Sequence, residues 1–156
     1  MQLLSVVVYC IMIATALARG LILSENSRKI IEGIAVTGVV GMFLISGVDK
    51  LLPPQISGTG WGGSDVSRLG NIYSTRKNIL TAIVLTAGVV ELVGSACVMY
   101  GHYFKNRSLK RNGLTVLSGF TLVATLAVYA NPWTGIKKLP VISNINTIGG
   151  ILALWS

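Results

Sequence analysis

Residues 78–100 read NILTAIVLTAGVVELVGSACVMY, and this stretch decides the fold class. It contains one charged side chain, Glu91. A helix over this stretch is about 35 Å long. The hydrocarbon core of a bilayer is about 30 Å thick, so about 20 apolar residues are enough to cross it. The stretch therefore predicts a transmembrane helix.

The whole chain shares this character. Its 156 residues are 52% hydrophobic and 12% charged, with a mean hydropathy of +0.70, whereas about a quarter of a soluble domain is charged. The net charge of +8 comes from Lys and Arg at the ends of apolar segments, as topology signals do. No basic patch interleaved with aromatic residues indicates nucleic-acid binding. We therefore expect the lipid bilayer, and not nucleic acid, as the main partner.

Further apolar segments lie on both sides of residues 78–100. They cover residues 1–23, 30–52, 112–130 and 141–156, and the last is short for a full crossing. The connection 53–77 is predicted to be a long loop, because two consecutive prolines at its start cannot donate backbone hydrogen bonds. The pattern predicts an all-α, polytopic transmembrane helix bundle: a four-helix unit over 30–156, preceded by one extra helix.

That extra N-terminal segment has two interpretations. Ala16-Leu17-Ala18 resembles the cleavage site of a signal peptide. No basic residue precedes the apolar core, however, which favours a retained transmembrane helix acting as an uncleaved signal anchor. The basic loop 102–111 contains four Lys and Arg residues and no acidic one, so we expect it on the cytoplasmic side.

Glu91 is the most informative single residue, because a carboxylate near the centre of a membrane helix costs several kcal/mol unless it is compensated. It lies about 20 Å from the start of its helix, whereas Lys50 lies near the end of the preceding one. A direct pair is therefore not expected unless the helices are strongly staggered. Hydrogen bonds from residues at similar depth are expected instead; the candidates are Thr37, Ser118, Thr121 and Asn146.

The candidate intramembrane functional residues are thus Glu91, Lys50 and Asp49. Glu91 is either a proton-handling or ligand-contacting group or a polar clamp between helices. Lys50 and Asp49 are adjacent and need separate environments, and interfacial anchoring accounts for both. His102 has no ligand-type neighbour at metal-binding spacing, so no metal site is predicted.

Small residues predict close helix packing. Gly33, Thr37 and Gly41 recur every four residues on one face of their helix, and Gly88 and Gly94 lie on the helix that carries Glu91. Such residues let two membrane helices approach closely. We therefore predict these five positions as helix contacts, with little room for a wide pore.

From about residue 34 onward the chain resembles the DoxX-like family of small four-helix integral membrane proteins. The likeness rests on residues 41–51 (GMFLISGVDKL) and 90–95 (VELVGS), followed by a basic turn and two apolar spans. The resemblance implies a four-helix bundle attached to redox or quinone-linked systems, or an assembly factor, with Lys50 and Glu91 as recurring polar positions. The extra N-terminal segment and the longer loop after Pro54 depart from the family pattern.

No convincing catalytic set is visible, so the function predicted is an accessory or assembly subunit that contacts a membrane-protein partner through its helices. A redox-associated enzyme subunit handling a quinone or a sulfur compound near Glu91 is one alternative. A structural membrane protein of an organelle complex or a virion is another. No cofactor is predicted, although a quinone stays open, and the chain is expected to bind a membrane-protein partner or a second copy of itself.

Overall fold

The computed structural model describes residues 24–53, 63–129 and 138–155. These residues are almost entirely helical and contain no β-strand. The predicted all-α fold class is thereby confirmed. The N-terminal helix predicted over residues 1–23 lies outside the described residues.

Five α-helices make up the described part of the chain. They are α1 (Glu25–Leu51), α2 (Gly63–Tyr73), α3 (Lys77–Tyr103), α4 (Arg107–Ala124) and α5 (Lys138–Ala153). A π-helical turn, Thr125–Tyr129, continues α4.

Among the described helices, three are long and apolar enough to cross a membrane: α1, α3 and α4 with its π-helical turn. Helix α5 contains a shorter apolar segment, Val141–Ala153. The exposed surface is also apolar, and Ile30, Ile83 and Val123 are each more than half exposed. A lipid environment accounts for both observations, as expected for a membrane protein.

The helix ends follow local sequence signals. Ser24 caps α1, because its side-chain oxygen accepts a hydrogen bond from the backbone N–H of Ser27 at 3.3 Å. Helix α1 therefore begins earlier than residue 30, where the sequence pattern placed it. Asn106 caps α4 in the same way, since its Oδ1 accepts from the backbone N–H of Leu109 at 3.0 Å.

The long helices alternate in direction. Gly47 contacts Gly88 and Gly33 lies near His102, so α1 and α3 are antiparallel. Helices α3 and α4 are also antiparallel, because a tight turn after Tyr103 joins them. Helix α5 packs on α4 and also touches α1.

We call the end of the bundle that contains Ser24 and the turn 104–106 the basic end. The opposite end contains Pro53 and α2, and we call it the α2 end. Trp155 lies under Arg111, so α5 runs back towards the basic end.

Valines and leucines form the core between the long helices. The fully buried side chains include Val36 and Val40 from α1, Val98 from α3, and Leu114 and Leu117 from α4. Ile151 of α5 and Leu154, directly after the end of that helix, complete the cluster. The four-helix unit is thus held by one continuous apolar core, which makes α1, α3, α4 and α5 a single packed body.

Part of the predicted long loop 53–77 is in fact helical, and this prediction was wrong for α2. Val66 and Leu69, spaced by three residues, place one face of α2 on Leu80 and Val84 of α3. The Gly-rich sequence before α2 obscured this short amphipathic pattern. Helix α2 therefore covers one end of the bundle.

Candidate functional site

Helix α1 ends well inside the span of α3. At their closest approach, a Cβ on Gly47 would lie 2.9 Å from the carbonyl oxygen of Gly88. Beyond that level α3 extends about 16 Å to Lys77, whereas α1 extends only about 6 Å to Leu51. The end of α1 therefore lies about 10 Å deeper than the start of α3.

This stagger places Lys50 against Glu91. The Lys50 Nζ lies 3.0 Å from Oε1 and 2.9 Å from Oε2 of Glu91, so the ammonium donates to both carboxylate oxygens. The Oγ of Ser46 accepts from Lys50 Nζ and donates to Glu91 Oε1 at 3.3 Å. The side chains of Lys50 and Glu91 are only 12% and 5% exposed. We call these three residues the buried ion-pair cluster.

Helix geometry explains how the two charges meet. The Cα–Cβ bond of every helical residue tilts towards the N-terminus of its own helix. In antiparallel α1 and α3, the side chain of Lys50 therefore leans deeper into the bundle, while that of Glu91 leans towards the α2 end. The two long side chains lean towards each other and close the remaining difference in depth.

The expectation that Lys50 lies too far from Glu91 is therefore wrong. The hydrogen-bond partners predicted in its place do not contact Glu91 either. Thr37 and Asn146 are exposed, Thr121 donates to a carbonyl of its own helix, and the buried Oγ of Ser118 has no hydrogen-bond partner among the described residues. The ends of α1 and α3 are not level, so depths counted from those ends do not predict which residues meet.

Helix α2 brings further charges to the cluster. Asp65 Oδ2 lies 3.9 Å from Lys50 Nζ, and Asp65 Oδ1 lies 3.7 Å from Arg68 Nη1. Asp65 is about one-third exposed. From the bundle interior to the α2 end, the charges therefore alternate in sign, and each has a neighbour of opposite charge. In that order the charged residues are Glu91, Lys50, Asp65 and Arg68.

The same helix is tied to the π-helical turn. Arg68 Nη1 donates to the Tyr129 hydroxyl at 2.7 Å, and its guanidinium lies 5.5 Å from the centre of that ring. The Tyr73 hydroxyl donates to the carbonyl of Ala127 at 2.7 Å. A π-helical turn leaves backbone groups out of the regular ladder, and here one such carbonyl accepts a bond from α2. Helix α2 thus bridges α1, α3 and the end of α4.

The third candidate residue, Asp49, is not part of this cluster. It is exposed at the end of α1 and makes no ion pair with the described residues. Lys50 and Asp49 therefore have separate environments, as adjacent helical residues require. Asp49 fits an interfacial position, whereas Lys50 is buried.

The predicted packing residues divide into two groups. Gly88 and Gly94 lie in close contacts, since a Cβ on Gly94 would be 2.8 Å from Leu117. On α1, Thr37 is exposed and a Cβ on Gly41 would meet no atom within 4 Å. Gly33 makes only an ordinary contact with His102. The tight contact of α1 is thus made by another residue, Gly47. None of the residues that the structure describes covers the face with Thr37 and Gly41, which we call the open face of α1.

A second charged cluster lies near the basic end. Lys110 of α4 donates to Oε1 of Glu32 in α1, and His102 Nδ1 of α3 lies 3.9 Å from the same oxygen. The Glu32 side chain is 32% exposed. Three helices therefore share one partly exposed carboxylate.

Replacing Lys110 with methionine is expected to lower the free energy of unfolding in mixed detergent micelles by about 1 kcal/mol. The effect is small because Glu32 can reach water and His102 stays nearby. Lys105→Met is the matched control, since Lys105 is exposed in the adjacent turn. A loss as large as that expected for a fully buried pair would contradict this interpretation.

Several residues of these clusters were not predicted as site residues: Ser46, Asp65, Arg68, Glu32 and Lys110. One signal was available for α2, since Asp65 and Arg68 are three residues apart on the amphipathic stretch and can share a helix face. The partnership of Glu32 with Lys110 depends on the tertiary arrangement of α1 and α4 and has no local signature.

The arrangement is suited to holding helices together. Within residues 24–53, 63–129 and 138–155, no group of three or more His, Cys, Asp or Glu side chains could hold a metal ion. Comparisons with protein-family models, characterised proteins and solved structures find no match to the chain. The fold and the geometry of its clusters are therefore the basis for any functional conclusion.

Proposed function

We propose that this chain is an accessory or assembly subunit of a membrane complex, and that it contacts a membrane-protein partner through the open face of α1. The observation that supports this is the outward position of Thr37 and Gly41 on an apolar helix long enough to cross the membrane. Small residues on such a face let a second helix approach closely.

The buried ion-pair cluster supports the same proposal in a different way. Both oxygens of Glu91 and the ammonium of Lys50 bond to each other and to Ser46. These polar groups compensate one another and fix α1 against α3. The cluster thus stabilises the helix that presents the open face.

We also propose that the chain is related to the DoxX-like family, which it resembles. Its two recurring polar positions, Lys50 and Glu91, contact each other across α1 and α3. Because the two residues bind each other where α1 and α3 cross, a change at either position would leave the other without its partner. This accounts for two positions that are distant in sequence and recur together in the family. A quinone-handling enzyme subunit is the alternative, and it requires an apolar cavity beside Glu91.

A site-specific crosslinking experiment tests the accessory role. A photoreactive amino acid is placed at Gly41, and at Gly149 of α5 as the matched control, because both positions have open space for a side chain. In native membranes we expect a protein adduct of one defined size from position 41 only. Gly41→Leu should then abolish co-purification of that protein, whereas Gly149→Leu should leave it unchanged.

Two outcomes would contradict the proposal. In the first, position 41 forms adducts with lipid alone and the chain purifies as a lone monomer. In the second, the adduct is a second copy of this chain, which would assign the open face to a homo-oligomer and remove the accessory role.

A further inference from the structure

An apolar groove runs along the outside of the bundle between α4 and α5. Its volume is about 260 Å³. Its walls are lined mainly by apolar side chains, among them Leu114, Leu122, Ile148 and Leu152, and Gly119 leaves space on the α4 side. Leu122 and Leu152 are each about half exposed, so the groove opens towards the lipid.

A polar atom in this wall lacks a partner. Ser118 lines the groove, and its Oγ is buried without a hydrogen bond to any described residue. A hydroxyl out of contact with water normally finds a partner, because leaving it unpaired costs about 1–3 kcal/mol. If this side chain turned towards the groove, an acceptor oxygen on a molecule there would satisfy it.

A cation stands at one mouth of the groove. The guanidinium of Arg111 lies 4.7 Å from the centre of the Trp155 ring, and Trp155 is itself a lining residue. Arg111 makes no ion pair or side-chain hydrogen bond with the residues that the structure describes. Its donors are therefore available to an anion at the basic end, where tryptophan marks the level of lipid headgroups.

The distance from Arg111 to the far end of the groove at Leu122 fits one leaflet. From Arg111 to Leu122 along α4 the rise is about 16 Å, which is close to half of the hydrocarbon core of about 30 Å. A molecule that fills this space has an anionic group at one end, an acceptor oxygen near Ser118 and an apolar chain below it.

We propose that the groove between α4 and α5 binds an anionic glycerophospholipid of the leaflet at the basic end. Its phosphate group contacts Arg111 above Trp155, the Ser118 side chain turns to donate to an ester carbonyl, and one acyl chain lies along Gly119 to Leu122. This lipid site goes beyond the accessory role, since it lies on α4 and α5 and not on the open face of α1.

Quenching of Trp155 fluorescence by brominated lipids tests the site directly. The full chain carrying Trp61→Phe and Trp133→Phe, with Trp155 as its only tryptophan, is reconstituted in phosphatidylcholine vesicles. Either brominated phosphatidylglycerol or brominated phosphatidylcholine is added at equal mole fraction. We expect phosphatidylglycerol to be preferred about fivefold, the effect of one basic residue near the membrane surface.

Two variants separate this site from general attraction to a basic surface. Arg111→Gln should reduce the preference to near unity. Arg107→Gln should leave most of it, because Arg107 is exposed in the same region and, unlike Arg111, has no cation–π contact with Trp155. Equal losses in the two variants would overturn the headgroup assignment, as would equal quenching by both lipids in the parent chain.

A third variant tests the position of the acyl chain. Gly119→Leu adds a side chain where a Cβ meets no atom within 4 Å, so the bundle has room to fold around it. The leucine would occupy the groove, and we expect quenching by both lipids to fall while that in Gly149→Leu stays unchanged. Undiminished quenching in Gly119→Leu would show that the lipid lies outside the groove.

Discussion

Replacing Lys50 with methionine is expected to lower the free energy of unfolding by about 3 kcal/mol, because it leaves the carboxylate of Glu91 buried without its cation. The side chain of Glu91 is only 5% exposed, whereas that of Glu32 is 32% exposed and can be solvated by water. The measurement is unfolding in mixed detergent and SDS micelles, followed by the loss of helical signal.

The matched control is Lys77→Met, because Lys77 is exposed at the start of α3. Its replacement should change the free energy of unfolding by less than about 0.5 kcal/mol. An equal, small loss in the free energy of unfolding of both lysine variants would contradict this prediction. That result would mean that Lys50 reaches the interface and does not bind Glu91.

Gly101→Ala is expected to produce the second large effect, a loss of about 3 kcal/mol in the free energy of unfolding. A Cβ at this position would lie 2.3 Å from the backbone nitrogen of Lys110 and 2.9 Å from the carbonyl oxygen of Asn106. Both neighbours are backbone atoms, so no side-chain rotation relieves the clash. Helices α3 and α4 would have to separate beside the turn that joins them.

Gly149→Ala is the control for this prediction, because a Cβ there meets no atom within 4 Å. Alanine favours a helix over glycine by about 1 kcal/mol, so this variant should be unchanged or slightly more stable. Equal stability of the Gly101 and Gly149 variants would show that α3 and α4 do not approach so closely.

The fold class was predictable because a bilayer imposes a simple requirement on sequence. Backbone groups inside it must be hydrogen-bonded, and a long apolar helix satisfies all of them locally. Residues 78–100 meet that requirement on their own, and α3 covers all of them, from Lys77 to Tyr103. Helix α2 was missed because its apolar positions are few and follow a Gly-rich segment.

The candidate site was predictable in part. An acid within a membrane helix signals the need for a partner, so Glu91 could be singled out from sequence alone. The partner could not be identified, because the stagger of α1 against α3 is set by the contact of Gly47 with Gly88. That contact depends on the packing of two helices distant in sequence. The regular spacing of Thr37 and Gly41 predicted a helix contact on a different face of α1. Sequence spacing alone does not show which face with small residues packs against another helix of the bundle.

A double-mutant cycle measures directly whether Lys50 and Glu91 bind each other inside the bundle. Free energies of unfolding are compared for the parent chain, Lys50→Met, Glu91→Gln and the double variant. We expect a coupling energy of about 2 kcal/mol, with the double variant less destabilised than the sum of the single ones. Additive effects, with a coupling energy near zero, would contradict it.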